Sequence, residues 1–434
     1  MAPARRVQIR SILVLWLFVL SAVAYLDRTN IAIAGTALRS ELGISNLQLG
    51  WIFSAFLIGY AAFQVPGGWL AGRFGPRRVL AGGVLWWGLF SALTAVASPR
   101  LPHPLLALIL IRLSLGAGEA VMYPASNQFV AQWIPVPERG RANGWIFAGV
   151  GAGAGVSIPV LTWLNSHYGW RSSFWFSAIV GVIVGLLWYL LARDFPEQHP
   201  FISKPELQLI QSTRTAPAAA HSAAHIPWRA TILNRTVVAL TLSYFTYGYV
   251  AWIFFSWFFI YLEQVRGLNL KASSFFSMIP FLAMTVCCLA GGALNDWLSR
   301  HVSLRAGRCT LATVAFLLTS LFLVVGSHAR GPYTAALILA GGAGALYLSQ
   351  SSFFAITADV FGARSGVVSG VMNMGGQVGG AVTASLTPWL AARFGWQFAF
   401  FFAAALAVLG GLLWFIVDPG PSAHARPLAT VIAE

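Results

Sequence analysis

Long apolar stretches dominate the chain and recur along its whole length. Each is about 20 to 30 residues long, enough for a helix to cross the hydrocarbon core of a bilayer, whereas a barrel strand needs only about 10 alternating residues. They predict six spanning helices, a polar interval and six more: 12–38, 47–71, 79–98, 104–133, 142–165, 171–192, 236–262, 273–298, 308–327, 332–360, 364–392 and 396–417. We therefore expect an all-α integral membrane protein with twelve transmembrane helices.

The composition supports this class. Hydrophobic residues make up 58% of the chain and charged residues 9%, against about 25% charged residues in a typical soluble domain. The net charge of +15 could indicate a nucleic-acid partner, but the basic residues are spread over alternate loops instead of forming one patch. Eighteen Lys or Arg fall on the side of the N-terminus and seven on the other. By the positive-inside rule both termini are expected in the cytoplasm, and no nucleic acid is expected as a partner.

The second half of the chain repeats the first. At an offset of 226 residues, eight positions of the fifth and sixth stretches match positions of the eleventh and twelfth: Gly140, Gly144, Gly149, Gly153, Trp163, Leu164, Gly169 and Trp170 match Gly366, Gly370, Gly375, Gly379, Trp389, Leu390, Gly395 and Trp396. The offset covers six stretches, an even number, so the halves are predicted to be parallel repeats. Such repeats place a binding site between the halves near mid-membrane, and small residues suit a sliding interface.

The polar interval defines the domain organisation. Residues 193–235 contain prolines, alanines and charges and predict a cytoplasmic linker with one surface helix near 204–213. It joins a bundle at 1–192 to a bundle at 236–417, and 418–434 is predicted to be a cytoplasmic tail. His199, His221 and His225 are expected to be solvated loop residues. The three cysteines lack ligand spacing, so neither a disulfide, a metal site nor a cofactor is predicted.

Two short loops repeat as well. The first carries a glycine-rich basic turn, and the second follows at an offset of 224; their main positions are Gly68, Gly72, Arg73, Gly75, Arg77 and Arg78, then Gly292 and Asp296. The first loop resembles the loop motif of the major facilitator superfamily, glycine-x-leucine-x-aspartate-x-x-glycine followed by basic residues. The resemblance implies a conformational role, in which the acid caps a helix of the other half. Gly72 stands in place of that acid in the first copy, and Asp296 keeps it in the second.

Charged residues inside the apolar stretches are the candidate chemistry. Asp27 and Arg28 are adjacent in the first stretch, and Glu119 lies deep in the fourth, seven residues after Arg112. Charges at this depth normally face the bundle interior and mark an ion or substrate path. A carboxyl group buried in low dielectric can hold a proton near neutral pH, as a proton-coupling site requires. Asp27 and Arg28 could instead merely neutralise each other, but neighbouring helix positions point about 100° apart, so we expect separate partners.

Arg112 and Glu119 share one helix face at a separation of about 10.5 Å along the axis. Tyr123 lies one turn beyond on the same side, and Pro124 predicts a kink. These two residues are therefore expected to line one pathway without forming a direct pair.

Together these charges resemble the anion:cation symporter branch of that superfamily, which includes bacterial sugar-acid transporters and animal vesicular glutamate and sialic acid carriers. The resemblance extends to Tyr60-x-x-x-Gln64-Val65-Pro66-Gly67-Gly68, Pro137-Glu138-Arg139-Gly140-Arg141-Ala142 and Tyr168-Gly169-Trp170-Arg171. It implies that Asp27 and Glu119 are the protonatable acids and that Arg28 meets the substrate carboxylate. By the same resemblance, Arg112 biases the protonation of Glu119, and Tyr25 and Tyr60 offer hydroxyl groups near Arg28.

In the second half the candidate polar residues are uncharged. Asn373 and Gln377 lie one turn apart in the eleventh stretch, and Gln350 and Ser352 lie in the tenth. They could bind substrate hydroxyls or equally form hydrogen bonds between helices. Tyrosines and tryptophans of the seventh stretch could form an aromatic wall for the substrate or anchor the helix at the membrane interface.

The sequence as a whole predicts a proton-coupled symporter that imports a small organic anion, first of all a sugar acid such as an aldonate, aldarate or hexuronate. The alternatives are a symporter of aromatic or dicarboxylic acids, an antiporter of the same fold, and a non-transporting sensor. No nucleotide loop, metal cluster or nucleophile triad predicts an enzyme. The expected partners are the substrate, protons and membrane lipids, for a monomer in a bacterial inner membrane.

Overall fold

The computed structural model describes residues 8–44, 46–213 and 232–420. These residues are almost entirely helical and form no strand, which confirms the all-α class. In chain order the main helices are α1 (Ile9–Leu42), α2 (Asn46–Phe74), α3 (Pro76–Ala95), α4 (Pro104–Glu119), α5 (Met122–Trp133), α6 (Arg139–Tyr168), α7 (Trp170–Leu191), α8 (Lys204–Thr213), α9 (Arg235–Ser256), α10 (Leu270–His301), α11 (Leu311–His328), α12 (Pro332–Leu348), α13 (Gln350–Phe361), α14 (Ser365–Phe394) and α15 (Trp396–Leu412).

Eleven of the candidate spans in the described residues are long and apolar enough to cross a membrane. In two of them the helix is interrupted, between α4 and α5 and between α12 and α13. The first interruption lies four residues before Pro124, whose missing N–H leaves the carbonyl of Ala120 without its helical donor. Helix α14 is 30 residues long but is not one of the eleven, so the count of twelve and the side of the termini stay predictions.

The two halves pack alike. In the first half α1 lies against α6, α2 against α4 and α3 against α7; in the second half α9 lies against α14, α10 against α12 and α11 against α15. Between the halves, α6 packs on α10 and α2 packs on α14. By the internal repeat α2 corresponds to α10 and α6 corresponds to α14, so these two contacts are equivalent.

Glycines allow both inter-half pairs to approach closely. A Cβ on Gly68 of α2 would overlap the backbone of Gly366 in α14, and a Cβ on Gly292 of α10 would lie 2.6 Å from the carbonyl oxygen of Gly140 in α6. Small residues let helix backbones touch. Of the glycines that repeat in the sequence, four therefore lie at the contact between the halves: Gly140, Gly144, Gly366 and Gly370. The other four face helices of their own half: Gly149, Gly153, Gly375 and Gly379.

One end of the bundle is rich in arginine, and we call it the basic end. It holds the turns α2–α3, α5–α6, α10–α11 and α13–α14, with Arg73, Arg77, Arg78, Arg139, Arg141, Arg300, Arg305 and Arg364. The linker helix predicted near 204–213 is α8. Its Glu206 accepts hydrogen bonds from the backbone N–H groups of Ile9 and Arg10, at 3.2 and 3.1 Å. This part of the linker therefore packs on the first half at the basic end.

His199 corrects one expectation from the sequence. It is buried, its Nε2 lies 3.1 Å from the carbonyl oxygen of Leu191, and its ring packs edge-on against Trp133. The expectation of a solvated residue is wrong because the linker folds back onto the bundle. His221 and His225 lie outside the described residues.

Candidate functional site

A cavity of about 60 Å³ lies between the halves in the middle of the bundle. Side chains of both halves form its wall, and six of them are tyrosines. The first half contributes Tyr25, Tyr60, Tyr123, Phe147 and Val150; the second half contributes Tyr244, Tyr247, Gly248, Ala251, Trp252, Phe255, Tyr347, Gln350, Asn373, Gly376 and Gln377. A wall of this kind offers aromatic faces and hydroxyl and amide groups to a small polar molecule.

Arg28 forms a buried ion pair beside this cavity. Its Nε donates to Oε2 of Glu119 at 2.7 Å, and the Glu119 side chain is completely buried. The guanidinium carbon lies 4.7 Å from the ring centre of Tyr25 and 4.3 Å from that of Tyr60, within the range of cation–π attraction. Nη2 of Arg28 and Oε1 of Glu119 have no hydrogen-bond partner among the described residues. Both groups therefore retain capacity for a ligand or a proton.

Asp27 points away from the cavity. Its Oδ1 accepts a hydrogen bond from Ser91 of α3 at 2.8 Å, and the residue is 1% exposed. One turn further along α1, Asn30 donates to Ser177 and accepts from Ser173, both on α7. Asp27 and Arg28 thus have separate partners, as the helix geometry predicts, and of the two only Arg28 contacts tyrosines of the cavity wall.

Arg112 contacts Phe56, a ring that Arg28 also contacts. The Phe56 ring centre is 5.0 Å from the Arg112 guanidinium carbon and 5.4 Å from that of Arg28. Arg112 is 2% exposed, and its Nε and Nη1 have no hydrogen-bond partner in the described part of the chain. Glu119 is hydrogen-bonded to Arg28 and not to Arg112. A role of Arg112 in biasing Glu119 would therefore act through space.

The amides predicted in the second half line the cavity, whereas Ser352 does not. Gln350 donates to the Tyr244 hydroxyl at 3.0 Å, and Asn373 donates across the interface to Gln64 of α2 at 3.0 Å. Gln377 lines the cavity, and its Oε1 has no partner among the described residues. Ser352 accepts a hydrogen bond from Asn295 at 2.7 Å. It faces α10 instead of the cavity because α13 turns that position toward the neighbouring helix.

The first loop motif forms a turn within its own half. Gly75 has a φ of 87° directly before α3, a conformation that favours glycine. The backbone N–H of Arg77 donates to Asp194 at 2.9 Å, and the Arg77 guanidinium lies over the Tyr189 ring. Arg73 lies near the rings of Trp69 and Phe74 in the same half. Gly72 and Arg78 are exposed.

The second loop motif joins the halves. Asp296 is 1% exposed and accepts hydrogen bonds from the backbone N–H groups of Gly140 and Arg141, at 2.8 and 2.6 Å. These N–H groups open α6, where a negative charge is favourable. Arg308 contacts Asp296 at 3.2 Å and Asp359 at 2.8 Å. The resemblance implied this capping role for the acid of the second copy.

The comparisons with known proteins identify the family. The family model described as Major Facilitator Superfamily matches residues 17–384 and 307–431. The chain belongs to this superfamily. It is therefore a multi-pass membrane transporter, and neither the family nor the relatives below are enzymes.

Several members of the superfamily are similar over much of the chain. The probable sulfoacetate transporter SauU of Cupriavidus necator is 30% identical over 399 residues, 92% of this chain and 91% of that protein. The chloroplastic ascorbate transporter of Arabidopsis thaliana is 31% identical over 95% of this chain and 75% of its own. The probable L-galactonate transporter of Escherichia coli is 31% identical over 67% and 62%. The solved proton:xylose symporter XylE shares the fold, with a TM-score of 0.73 over 94% and 97% of the chains at 16% identity.

The superfamily fold is closed at the basic end in this structure. Besides Asp296, Asp359 joins the halves there, because it pairs with Arg139 of α6 at 2.9 Å as well as with Arg308. Asn127 and Gln128 of α5 form further hydrogen bonds to the start of α14. The cavity is thus separated from the basic end by several polar contacts between the halves.

Sequence reasoning missed several residues of this transporter's cavity. The sequence places Tyr123 only on a helix face, includes Tyr244 and Tyr247 only among the aromatic residues of the seventh stretch, and does not single out Tyr347. The rings of Tyr244 and Tyr247 stack at 5.0 Å with an angle of 2° between their planes. Their spacing of three residues, and the spacing of four between Tyr60 and Gln64, could have placed each pair on one helix face.

Proposed function

We propose that the chain is a proton-coupled symporter that carries a small organic anion by alternating access. The observation that supports this most directly is the buried pair of Arg28 and Glu119, joined by a 2.7 Å hydrogen bond, whose arginine contacts Tyr25 and Tyr60 of the cavity wall. An anionic substrate needs a cation in the cavity, and Arg28 is the arginine beside the tyrosines of its wall. That cation is already neutralised by a carboxylate.

The pair couples proton and substrate by competition. A guanidinium can form two parallel hydrogen bonds to a carboxylate, and a low dielectric strengthens them. When Glu119 takes a proton, its charge is lost and Arg28 becomes free for the carboxylate of the substrate. When Glu119 releases the proton, it displaces the substrate. Asp27 is proposed as a second proton carrier, and Arg112 as a fixed positive charge that disfavours a proton on Glu119.

A sugar acid is the proposed substrate, first an aldonate, aldarate or hexuronate. Its carboxylate would meet Arg28, while its hydroxyl groups would meet the tyrosines and the amides of Gln350, Asn373 and Gln377. The relatives support an organic anion, since their names include L-galactonate, ascorbate and sulfoacetate transporters. An aromatic or dicarboxylic acid is the second candidate, because stacked rings such as Tyr244 and Tyr247 also suit a planar molecule.

The bundles 1–192 and 236–417 are proposed to rock against each other around this site, with the linker 193–235 and the tail 418–434 on the cytoplasmic side. We propose that the basic end faces the cytoplasm, as the positive-inside rule requires. Bacterial relatives favour an inner membrane, and chloroplast relatives make another membrane the alternative. The transporter is proposed to work as a monomer surrounded by lipid.

The test is current across proteoliposomes under an inward proton gradient, with a panel of aldonates, aldarates, hexuronates, dicarboxylates and aromatic acids. We expect a current from one class that is lost in Arg28→Ala and strongly reduced in Arg28→Lys, which keeps the charge but not the planar fork. Arg300→Gln, an exposed arginine outside the cavity, is the matched control. Binding is measured in parallel as the increase in melting temperature that each ligand produces. If a ligand binds but gives neither a current nor uptake driven by the proton gradient, symport is contradicted. If Arg28→Ala binds the ligand as well as the native protein does, the role of Arg28 is contradicted.

A further inference from the structure

The internal repeat shows that the start of α14 lacks the acidic partner that the start of α6 has. Asp296 binds the first N–H groups of α6, and its repeat position, at the offset of 224, is Gly72. Gly140 at the start of α6 repeats as Gly366 at the start of α14. Gly72 has no side chain and is exposed. The helix N-terminus that its counterpart would bind must therefore be satisfied by another group.

That group is the amide of Gln128, a residue of α5. Its Oε1 accepts the backbone N–H of Gly366 at 3.1 Å and the hydroxyl of Ser365 at 3.2 Å. Gln128 is 2% exposed and lies directly beside the glycine contact of α2 and α14, since a Cβ on Gly366 would be 3.3 Å from the Gln128 oxygen and 3.2 Å from the carbonyl oxygen of Gly68. The neighbouring Asn127 donates to the carbonyl of Ser365 at 3.2 Å and to the hydroxyl of Thr357 at 2.8 Å.

We propose that Gln128 is a positioning residue that replaces the missing acid of the first loop motif, so that the α13–α14 turn is held by a neutral amide latch while α6 is held by a charged one. The charged latch contains Asp296, Arg308, Asp359 and Arg139. The amide latch consists of Asn127 and Gln128 with their partners.

The two latches differ in strength because of their charge. A hydrogen bond from a helix N-terminus to a carboxylate is about twice as strong as one to a neutral amide, and the helix dipole adds to the difference. Opening of the basic end must break both contacts. The amide latch is the weaker one, so it keeps the closed state from becoming too stable to open, and α14, which carries Asn373 and Gln377 to the cavity, is released with it.

The experiment changes the latch without changing its size. Gln128→Glu has the same shape and adds the charge, Gln128→Leu removes the acceptor, and Gln132→Glu, one turn away on α5, is the control. Spin labels are placed at Phe201, in the part of the linker that packs on the first half, and at Val302 of the second half. These residues are 79% and 65% exposed, and the labels report the distance between the halves at the basic end. The full chain is used, with Cys287, Cys288 and Cys309 replaced. No substrate is needed, so the outcome does not depend on the proposed symport.

We expect Gln128→Glu to increase the ratio of closed to open molecules about fivefold or more, seen as a larger population at short label distances. Gln128→Leu should decrease this ratio, seen as a larger population at long distances. Gly72→Asp in the Gln128→Leu background should restore short distances, because it returns an acceptor to the repeat position. A shift of the same sign in both Gln128 variants, no shift in either, an equal shift in Gln132→Glu, or failure of the Gly72→Asp rescue would each overturn the proposal. If Gln128→Leu does not fold, Gln128→Glu and Gly72→Asp alone decide by whether they favour short distances.

Discussion

Glu119→Gln tests the competition for Arg28 most directly. In the native pair a charge-assisted hydrogen bond of 2.7 Å must be given up before a substrate carboxylate can take its place. Hydrogen bonds to charged groups contribute about 1.5–3 kcal/mol, which corresponds to about 10- to 150-fold in affinity. The variant should therefore bind an anionic probe that much more tightly at alkaline pH, where native Glu119 is ionised, and about as tightly as the native protein at acid pH.

The pH dependence carries the same information in a second form. If Glu119 takes up its proton with each anion that binds, the apparent Kd of the native protein should increase by up to about tenfold per unit increase in pH over part of the range from about 5 to 9. This slope should flatten in Glu119→Gln, which stays neutral. The measurement is calorimetric titration of the purified protein with L-galactonate, or with the panel member that gave a current.

The control is Glu138→Gln, because Glu138 pairs with Arg10 at 2.9 Å at the basic end, away from the cavity. It should keep the native slope. The reasoning is refuted if Glu119→Gln retains the full slope, or if it weakens binding at every pH, since either result would mean that Glu119 does not compete with the substrate for Arg28.

Three further predictions concern structure and stability. Gly68→Ala should lower the transport rate and favour opening at the basic end because its methyl group would overlap the α14 backbone, whereas Gly50→Ala in the same helix has open space and should not; uptake and spin-label distances check this. Glu206→Ala should cost about 1 kcal/mol because the first turn of α1 loses its acceptor, seen as a melting temperature a few degrees lower. Hydrogen bonds from Arg171 lower the pKa of Glu41. The ion pair therefore stabilises the folded protein above the ordinary pKa of a glutamate, by at most about 0.5 kcal/mol at this exposed site, and this stabilisation is lost as the pH falls through the lowered pKa. In Glu41→Gln the melting temperature should change less between about pH 6 and pH 3 than in the native protein.

Much of the fold could be predicted from the sequence because apolar length is a strong signal. The predicted stretch 171–192 differs by one residue at each end from α7 (Trp170–Leu191), and 204–213 is α8. The first stretch, 12–38, is shorter than α1 (Ile9–Leu42), since a helix continues past the hydrocarbon into polar surroundings that hydropathy does not mark. The linker's contact with the first half was not predictable, because Glu206 and His199 have partners that lie far from them in the chain, Arg10 and Trp133.

The candidate site was predictable only in part. Arg28 and Glu119 stand out because charges are rare in apolar stretches, but their pairing depends on how α1 meets α4, which the sequence pattern does not contain. Ser352 was misplaced for a related reason: α13 is buried on nearly every side, so polarity does not reveal which face meets the cavity. Gln128 was overlooked because an amide in a span resembles any other polar residue until its partner on α14 is known.

The separation of charge between the halves has a consequence for how such transporters diversify. The buried charges at the cavity level, Arg28 and Glu119, belong to the first half, whereas the second-half groups that reach the cavity are aromatic rings and amides. Substitution of an amide or a ring changes which hydroxyl or apolar group is accepted, without moving a charge. Under the proposed mechanism, a lineage can thus acquire a new cargo by point substitutions in one half while the Arg28–Glu119 pair of the other half stays unchanged.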